Sequence, residues 1–188
     1  FSLAPRKAIL SDVNPDLIQA YTMIRDDVDS VIEELKRHRA EEAYYYSVRA
    51  TDVATLSGAE AAARIIFLNK TCFNGLYRVN RSGKFNVPFG KYANPTICNE
   101  SNLRMVSDAL QGVDIRLESV FDLDARVSKN DLVYFDPPYV PLSPTASFTS
   151  YTKQGFGEHQ QRELAELYGR LVAKGAHCYL SNSDTPLV

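Results

Sequence analysis

An apolar run that stops at an acid and two prolines constrains this chain more than any other stretch. Leu132-Val133-Tyr134-Phe135 is short, branched and aromatic, which predicts a buried strand. Pro137 and Pro138 carry no backbone N–H and cannot extend a ladder, so the strand must end at Asp136. Ligands of open α/β sheets sit just beyond the carboxyl ends of strands. Asp136-Pro137-Pro138-Tyr139 therefore groups a carboxylate, a rigid carbonyl and an aromatic face where a planar ligand could be held. Taken alone, the tetrapeptide also reads as a Pro-Pro turn with Asp136 as its local acceptor.

A second strand that ends in an acid lies near the start. Ala8-Ile9-Leu10-Ser11-Asp12 is followed by Asn14-Pro15, an N-cap with proline at the first helical position. Leu17, Ile18, Tyr21, Ile24, Val28, Val31, Ile32 and Leu35 then recur at helical spacing. In Rossmann-like folds such a strand–acid–helix unit binds a ribose, although Asp12 could equally serve only as a cap. Residues 39–70 read as less regular helix, with the Tyr44-Tyr45-Tyr46 cluster assigned to packing. Between Phe73 and Tyr92 the period changes. Val79 on one side of Ser82-Gly83, and Phe85, Val87 and Phe89 on the other, predict a β-hairpin. A helix follows over Asn99–Leu110, stopped by Gly112, and then a short strand at Ile115–Leu117. Residues Pro141–Gly157 form a long polar loop of the kind that serves as a lid. An amphipathic helix, Glu158–Lys174, places Leu164, Leu167, Leu171 and Val172 inward and closes at Gly175. The last strand, Cys178–Leu180, ends at Ser181-Asn182.

With 188 residues, 45% of them hydrophobic, the chain suits one domain, or a core with a small insertion, and not a disordered segment. No apolar stretch approaches a membrane span, and no signal peptide is expected at the start. Cys72, Cys98 and Cys178 form no CxxC pair and suggest a reducing compartment. His38, His159 and His177 have no metal-ligand spacing, so no metal is expected. The net charge of −2 argues against nucleic acid only until its distribution is read. From Ala61 to Asn99 there is no Asp or Glu, while Arg64, Lys70, Arg78, Arg81, Lys84 and Lys91 are basic. That window carries +6, leaving the other 15 of the 21 Lys and Arg against 23 acids, or −8, elsewhere. A basic patch on an acidic body suits phosphate contact, and a basic hairpin with aromatic neighbours can enter a groove.

Asp136-Pro137-Pro138-Tyr139 after an apolar strand resembles the catalytic motif of S-adenosylmethionine-dependent amino-methyltransferases. Two longer runs narrow the likeness: Asn69-Lys70-Thr71-Cys72-Phe73-Asn74-Gly75-Leu76-Tyr77-Arg78 and Phe85-Asn86-Val87-Pro88-Phe89-Gly90. With them the chain resembles, over nearly its whole length, the Dam-type (D12 class, alpha group) DNA adenine N6-methyltransferases. The resemblance implies an α/β fold: a Rossmann-like methyltransferase core, residues 1–18 and 96–188, with a helical and β-hairpin DNA-recognition insertion at residues 19–95. It implies S-adenosylmethionine as cofactor, held by Asp12 at the ribose, by Ser119 and Val120 at the adenine, and by Asp136. It implies double-stranded DNA as partner, GATC as the site, a monomer, and a cytoplasmic, DNA-associated protein of a prokaryote or phage. Phe73 takes the place of an aromatic that intrudes into the duplex, beside Asn74 at the orphaned base. Arg78 matches a guanine-reading arginine, Leu76 and Pro88 match apolar base contacts, and Lys91 matches a phosphate contact. Lys70 and Asn80 complete the DNA-binding set.

The chemistry explains the motif. The lone pair of an adenine N6 amine is delocalised into the ring, so it must be localised and aimed before it can attack. Two acceptors on its N–H groups would do this, and the Asp136 carboxylate and Pro137 carbonyl can supply them. The carboxylate also stabilises positive charge as it develops on nitrogen, while Pro138 stiffens the turn and Tyr139 can stack on the base. The base must first leave the duplex stack. One departure from the family pattern stands out. A glycine-rich Phe-x-Gly-x-Gly strand–turn opens the family's cofactor pocket, and these residues contain none: Gly155-Phe156-Gly157 follows no strand. The family's C-terminal strands beyond Val188 are also missing from this sequence. An RNA adenine methyltransferase and a catalytically silent DNA-binding module remain as alternatives.

Overall fold

A computed structural model describes residues 5–80, 82–140, 156–186 and 188. The chain divides into two compact units, Phe1–Arg78 with Phe85–Leu117, and Val79–Lys84 with Glu118–Val188. Each holds its own two-stranded parallel sheet.

In the first unit, β1 (Ile9–Asp12) runs parallel to β2 (Asp114–Leu117), with Ile9 opposite Asp114 and Asp12 opposite Leu117. Between them in the chain come α1 (Pro15–Asp26), α2 (Val28–Arg37), α3 (Glu42–Ala50), α4 (Gly58–Thr71) and α5 (Glu100–Leu110). α1 starts where its sequence signals it: Asn14 Oδ1 accepts the N–H groups of Asp16 at 3.1 Å and Leu17 at 3.5 Å, with Pro15 next in line. The helical spacing from Leu17 to Leu35 is shared between two helices. Asp27 breaks them with φ −151° and ψ 64°. Its N–H donates to Met23 O at 2.8 Å, and its carboxylate accepts the Ser30 N–H at 3.2 Å, so one residue ends α1 and caps α2.

Helix α4 is the centre of this unit. Ser57 and Glu60 form a reciprocal capping box at its start, and those hydrogen bonds hold the Glu60 carboxyl below the usual range. A Cβ on Gly58 would lie 2.7 Å from Met23 Sδ of α1, so that flexible side chain would have to shift. Ala62, Ala63, Phe67 and Leu68 of α4 bury against Ile24, Val31, Ile32, Leu35, Leu103 and Leu110. Tyr45 is fully buried in the same core, as expected of a packing residue, and its hydroxyl donates to Val87 O at 2.8 Å. Phe85 and Val87 of the hairpin join this core.

The hairpin pairs only in patches, and no extended strand is found among the described residues between Phe73 and Tyr92. Asn80 N–H donates to Lys84 O at 2.8 Å, and Asn86 N–H to Arg78 O at 2.9 Å. Asn80 Oδ1 also accepts from the Ser82 and Lys84 amides, so a side chain replaces part of the ladder. At the base, Gly90 N–H donates to Thr71 O and Phe73 N–H to Pro88 O, both at 2.8 Å. A Cβ on Gly90 would sit 2.5 Å from Cys72 O, so only glycine permits this approach.

In the second unit, β3 (Leu132–Phe135) runs parallel to β4 (His177–Leu180), joined through α6 (Glu158–Ala173). Leu132 lies opposite His177 and Phe135 opposite Leu180. Phe135, Leu164, Leu167 and Leu171 are buried together, with Val133, Cys178 and Leu180 packed against them. The expectation of a wholly buried strand is corrected here. Leu132 and Tyr134 are 56% and 63% exposed, because alternate residues point to opposite faces and α6 covers only one. Val172, expected inward, is exposed beside buried Leu171. The predicted loop, apart from Phe156 and Gly157, lies outside the described residues. No described helix is long and apolar enough to cross a membrane.

Two glycine substitutions test this packing. Gly90→Ala should destabilise by about 1–3 kcal/mol through the clash with Cys72 O. Gly169→Ala, on a helix face with nothing within 4 Å of the new methyl, should stabilise by about 0.5–1 kcal/mol. Urea denaturation of both variants reads the opposite signs.

Candidate active site and nucleic-acid interface

Parallel register places the Asp136 loop. Because Phe135 pairs with Leu180, the chains leaving the two strands run side by side, and Ser181 N–H donates to Phe135 O at 3.0 Å. Ser181 Oγ then donates to Asp136 Oδ1 at 2.9 Å and accepts from the Tyr134 hydroxyl at 3.1 Å. Asp136 itself is exposed. Among the described residues neither its Oδ2 nor the Pro137 carbonyl receives a donor. The next turn is held by side-chain amides. Gln161 Nε2 donates to Pro138 O at 2.8 Å, Asn182 Oδ1 accepts the Val140 N–H at 3.0 Å, and Asn182 Nδ2 donates to Gln161 Oε1 at 3.0 Å. Tyr139 lies between the gripped positions, 46% exposed. Ser119 caps the 3-10 segment Val120–Ala125, its Oγ accepting the Phe121 N–H at 3.3 Å. This unit thus carries Ser119, Val120 and the whole Asp136–Tyr139 motif.

Asp12 belongs to the first unit, at the carboxyl end of β1. Its Oδ1 accepts the Asn14 N–H at 2.7 Å, and among the described residues Oδ2 has no donor. A carboxylate with one oxygen fixed and one spare, at the end of a parallel strand, fits a ribose hydroxyl. Asn14 is steadied in turn by Tyr77, whose hydroxyl lies 3.2 Å from both Asn14 Oδ1 and Asp16 Oδ2. Burial, first, and the Asp16 carboxylate push the Tyr77 phenol up.

The first unit also gathers most of the residues assigned to DNA. Beyond α4 the chain makes a 3-10 turn, Phe73–Gly75, with Asn74 and Gly75 both left-handed at φ 53° and 61°. Asn tolerates that conformation and Gly has no Cβ to oppose it. Asn69 Nδ2 donates to Gly75 O at 2.7 Å, and the buried Cys72 thiol donates to Leu76 O at 3.2 Å. The turn so braced leaves Phe73 and Leu76 50% and 46% exposed, with Asn74 exposed between them. Pro88 is joined to Phe73 through its carbonyl, and Lys70 lies exposed on the last turn of α4. Lys91, at φ 53°, is exposed as well. Arg78 is oriented by one partner: its Nε donates to Asn86 Oδ1 at 2.7 Å and its Nη2 to Asn86 O at 3.1 Å. Asn80 sits at the hairpin tip, among residues grouped with the second unit, and Arg81 lies outside the described residues.

Arg64 departs from its expected place in the basic patch. It is 5% exposed, and its guanidinium donates to Val48 O at 3.0 Å and Arg49 O at 2.9 Å. There it closes the C-terminus of α3, and burial lowers its pKa from the ordinary value. Sequence reasoning assigned no role to Asn69, Tyr77, Asn86, Gln161, Ser181 or Asn182. Asn69, Tyr77 and Asn86 lie within the two runs that carry the resemblance, and Ser181-Asn182 end the last expected strand, whereas nothing marked Gln161.

The model of the D12 class N6 adenine-specific DNA methyltransferases matches residues 1–188. The chain belongs to that family. It is 45% identical to the Type II methyltransferase M.MjaIII of Methanocaldococcus jannaschii, with 95% of this chain and 66% of that protein covered. It is 41% identical to the Type II methyltransferase M1.LlaDCHI of Lactococcus lactis subsp. cremoris, with 100% of this chain and 69% of the relative covered. Identity to the DNA adenine methylase of Escherichia coli (strain K12) is 36%, over 95% of this chain and 66% of that enzyme. The chain thus spans about two thirds of the length of the curated relatives it matches. Its mixed α/β architecture with small parallel sheets agrees with a methyltransferase of this D12 family.

The bracing of the exposed turn can be tested directly. Asn69→Ala removes the donor to Gly75 O and should cost about 0.5–1.5 kcal/mol of stability. Amide exchange should quicken most at Gly75 and Leu76, as read by NMR, while the interior of α4 stays protected.

Proposed function

We propose that this chain carries the target-recognition and methyl-transfer residues of a site-specific DNA adenine N6-methyltransferase acting on duplex DNA, with GATC as the site. The observation that carries the reading is the Asp136–Tyr139 turn at the end of a parallel strand. Among the described residues it leaves one carboxylate oxygen and one carbonyl without a donor and one ring exposed, on a braced backbone. In this reading the core comprises residues 1–18 and 96–188 and is Rossmann-like, and residues 19–95 form the recognition insertion. The protein acts as a monomer.

S-adenosylmethionine, when bound, supplies an electrophilic methyl group on a sulfonium. Asp12 holds its ribose through the spare carboxylate oxygen, and Ser119 and Val120 line its adenine. Asp136 and the Pro137 carbonyl accept the two N–H groups of a flipped-out adenine, pulling the nitrogen towards tetrahedral geometry and aiming its lone pair. The Asp136 charge would stabilise the positive charge that develops on nitrogen as the methyl leaves the sulfonium, whose sulfur keeps the bonding pair as a thioether. The N6 proton becomes acidic only after the transfer, so Asp136 need not be a strong base. Tyr139 stacks on the flipped base. Phe73 fills the space that the base leaves, Asn74 meets its orphaned partner, and Leu76 and Pro88 supply apolar contacts. Lys70, Asn80 and Lys91 contact the DNA around the site.

The basic residues divide into two roles with different readouts. Arg78, fixed along one edge by Asn86, reads a guanine, whereas exposed Lys91 contacts phosphate. Arg78→Ala should cost ~1–3 kcal/mol of discrimination at one base pair and relax specificity there. Lys91→Ala should weaken cognate and mismatched duplexes alike and flatten the salt dependence. Equal losses on both duplexes for Arg78→Ala would reduce that residue to a phosphate contact. For the chemistry, Asp136→Ala should abolish methylation of a duplex oligonucleotide while leaving DNA affinity within about threefold, and Asp136→Asn should be severely impaired. An active Ala variant would overturn the mechanism. Methylation of RNA in preference to duplex DNA would overturn the substrate.

A further inference from the structure

We propose that Gln161 and Asn182 are positioning residues for the transfer step, forming a directional two-amide relay that sets the Pro137–Pro138 backbone. The proposal rests on the function assigned above and extends it to residues outside the motif. The need follows from the motif itself. Neither Pro137 nor Pro138 has an N–H, so no ladder donor on these residues can fix the turn. Among the groups left to grip are the Pro138 carbonyl and the N–H that follows Tyr139. The relay takes hold of both. Asn182 Oδ1 accepts the Val140 N–H at 3.0 Å and the Ser183 N–H at 2.8 Å, which commits the oxygen side of this amide. Its Nδ2 must then face Gln161 Oε1, at 3.0 Å, and Gln161 Nε2 must face Pro138 O, at 2.8 Å. Reversing either amide would set acceptor against acceptor and donor against donor.

Two effects on the reaction follow. Pulling the Pro138 carbonyl toward Gln161 fixes the peptide plane next to that of Pro137, whose own carbonyl has no donor among the described residues and can meet the substrate amine. Holding positions 138 and 140 also restrains Tyr139 between them, so the stacking face is set before a base arrives. Both effects act on orientation in the transfer step and leave the DNA-contacting turn at Phe73–Leu76 untouched.

The relay is tested with Gln161→Glu and Gln161→Met in the purified protein. In the Gln161→Glu variant the ionised side chain would turn an acceptor on the Pro138 carbonyl. Its neutral acid can donate there and still accept from Asn182. Gln161→Glu is therefore expected to lower kcat about tenfold or more near neutral pH, with KM for duplex DNA within about threefold. Activity should recover as the pH falls, since a carboxyl that faces a carbonyl keeps its proton more readily than one in water. Gln161→Met, which cannot donate at any pH, should be impaired without recovery. Amide exchange at Val140 should quicken about tenfold or more in the Met variant at every pH, and in the Glu variant only at the higher pH. Exchange at Val140 and kcat both unchanged in the two variants would overturn the proposal. So would a loss of kcat that follows the fall in melting temperature and shows no pH recovery in Gln161→Glu. If the unsubstituted protein does not methylate duplex DNA, the functional reading fails, while Val140 exchange still decides whether the relay holds the turn.

Discussion

The pairing of Phe135 with Leu180 is the contact on which the candidate site depends. Parallel strands deliver their carboxyl ends to the same edge, so pairing these two residues puts Asp136 beside Ser181 and the Pro-Pro turn beside Asn182. An antiparallel pair would have sent the second chain away from the motif. Parallel pairing also demands a crossover, and α6 supplies it. The first turn of that same helix carries Gln161, the residue that grips Pro138. One topological requirement thus brings together polar groups from two loops and a helix turn that are far apart in sequence. The burial of Leu164, Leu167 and Leu171 against Phe135 holds the arrangement in place.

The Phe73–Leu76 turn rests on a different constraint, a close backbone approach. Gly90 lets the segment after the hairpin lie against Cys72, and that contact locates the Phe73–Leu76 turn relative to the buried end of α4. Apolar side chains such as Phe73 and Leu76 lose free energy by remaining in water, and the fold accepts this at two neighbouring positions. Left-handed Asn74 and Gly75, the Asn69 bond to Gly75 O and the Cys72 thiol all act to keep them there. The exposure of Phe73 agrees with a residue held ready for a partner.

Local signals carried much of this in the sequence. The Asn14-Pro15 cap, the stop at Gly112, the end of β3 at the prolines and the close of α6 at Gly175 each depend on residues within a few positions of one another. Most of what could not be read depends on residues far apart. The one-sided burial of β3 depends on which helix covers it. The apolar phase continues past Asp27, so spacing alone gave no sign of two helices, although an acid three residues before Ser30 is a capping signal in retrospect. Arg64 looked like one more basic residue in an acid-free window. Only the fold shows that α3 ends over it and uses its charge. Gln161 is an ordinary helix residue until the register of β3 and β4 brings the Pro138 carbonyl to it.

Burial of Arg64 changes what the basic window can do. Among its described members Lys70, Lys84 and Lys91 are exposed, and Arg78 is half-buried with one edge committed to Asn86. Lysine ammonium groups are compact, rotatable charges that attract phosphate without defining its angle. They suit general affinity and salt dependence more than sequence readout. Arg78 differs in kind. With Nε and one Nη2 hydrogen held by Asn86, the guanidinium plane is fixed and only the edge formed by Nη1 and the remaining Nη2 hydrogen can reach a base. Bidentate recognition of guanine needs two parallel donors in a known plane, and that edge supplies them. Rotating the plane to present the other edge would break both bonds to Asn86 at once. In the proposed reading the window therefore separates its tasks, three lysines giving attraction and one braced arginine giving discrimination, and Asn86 is what makes the arginine selective.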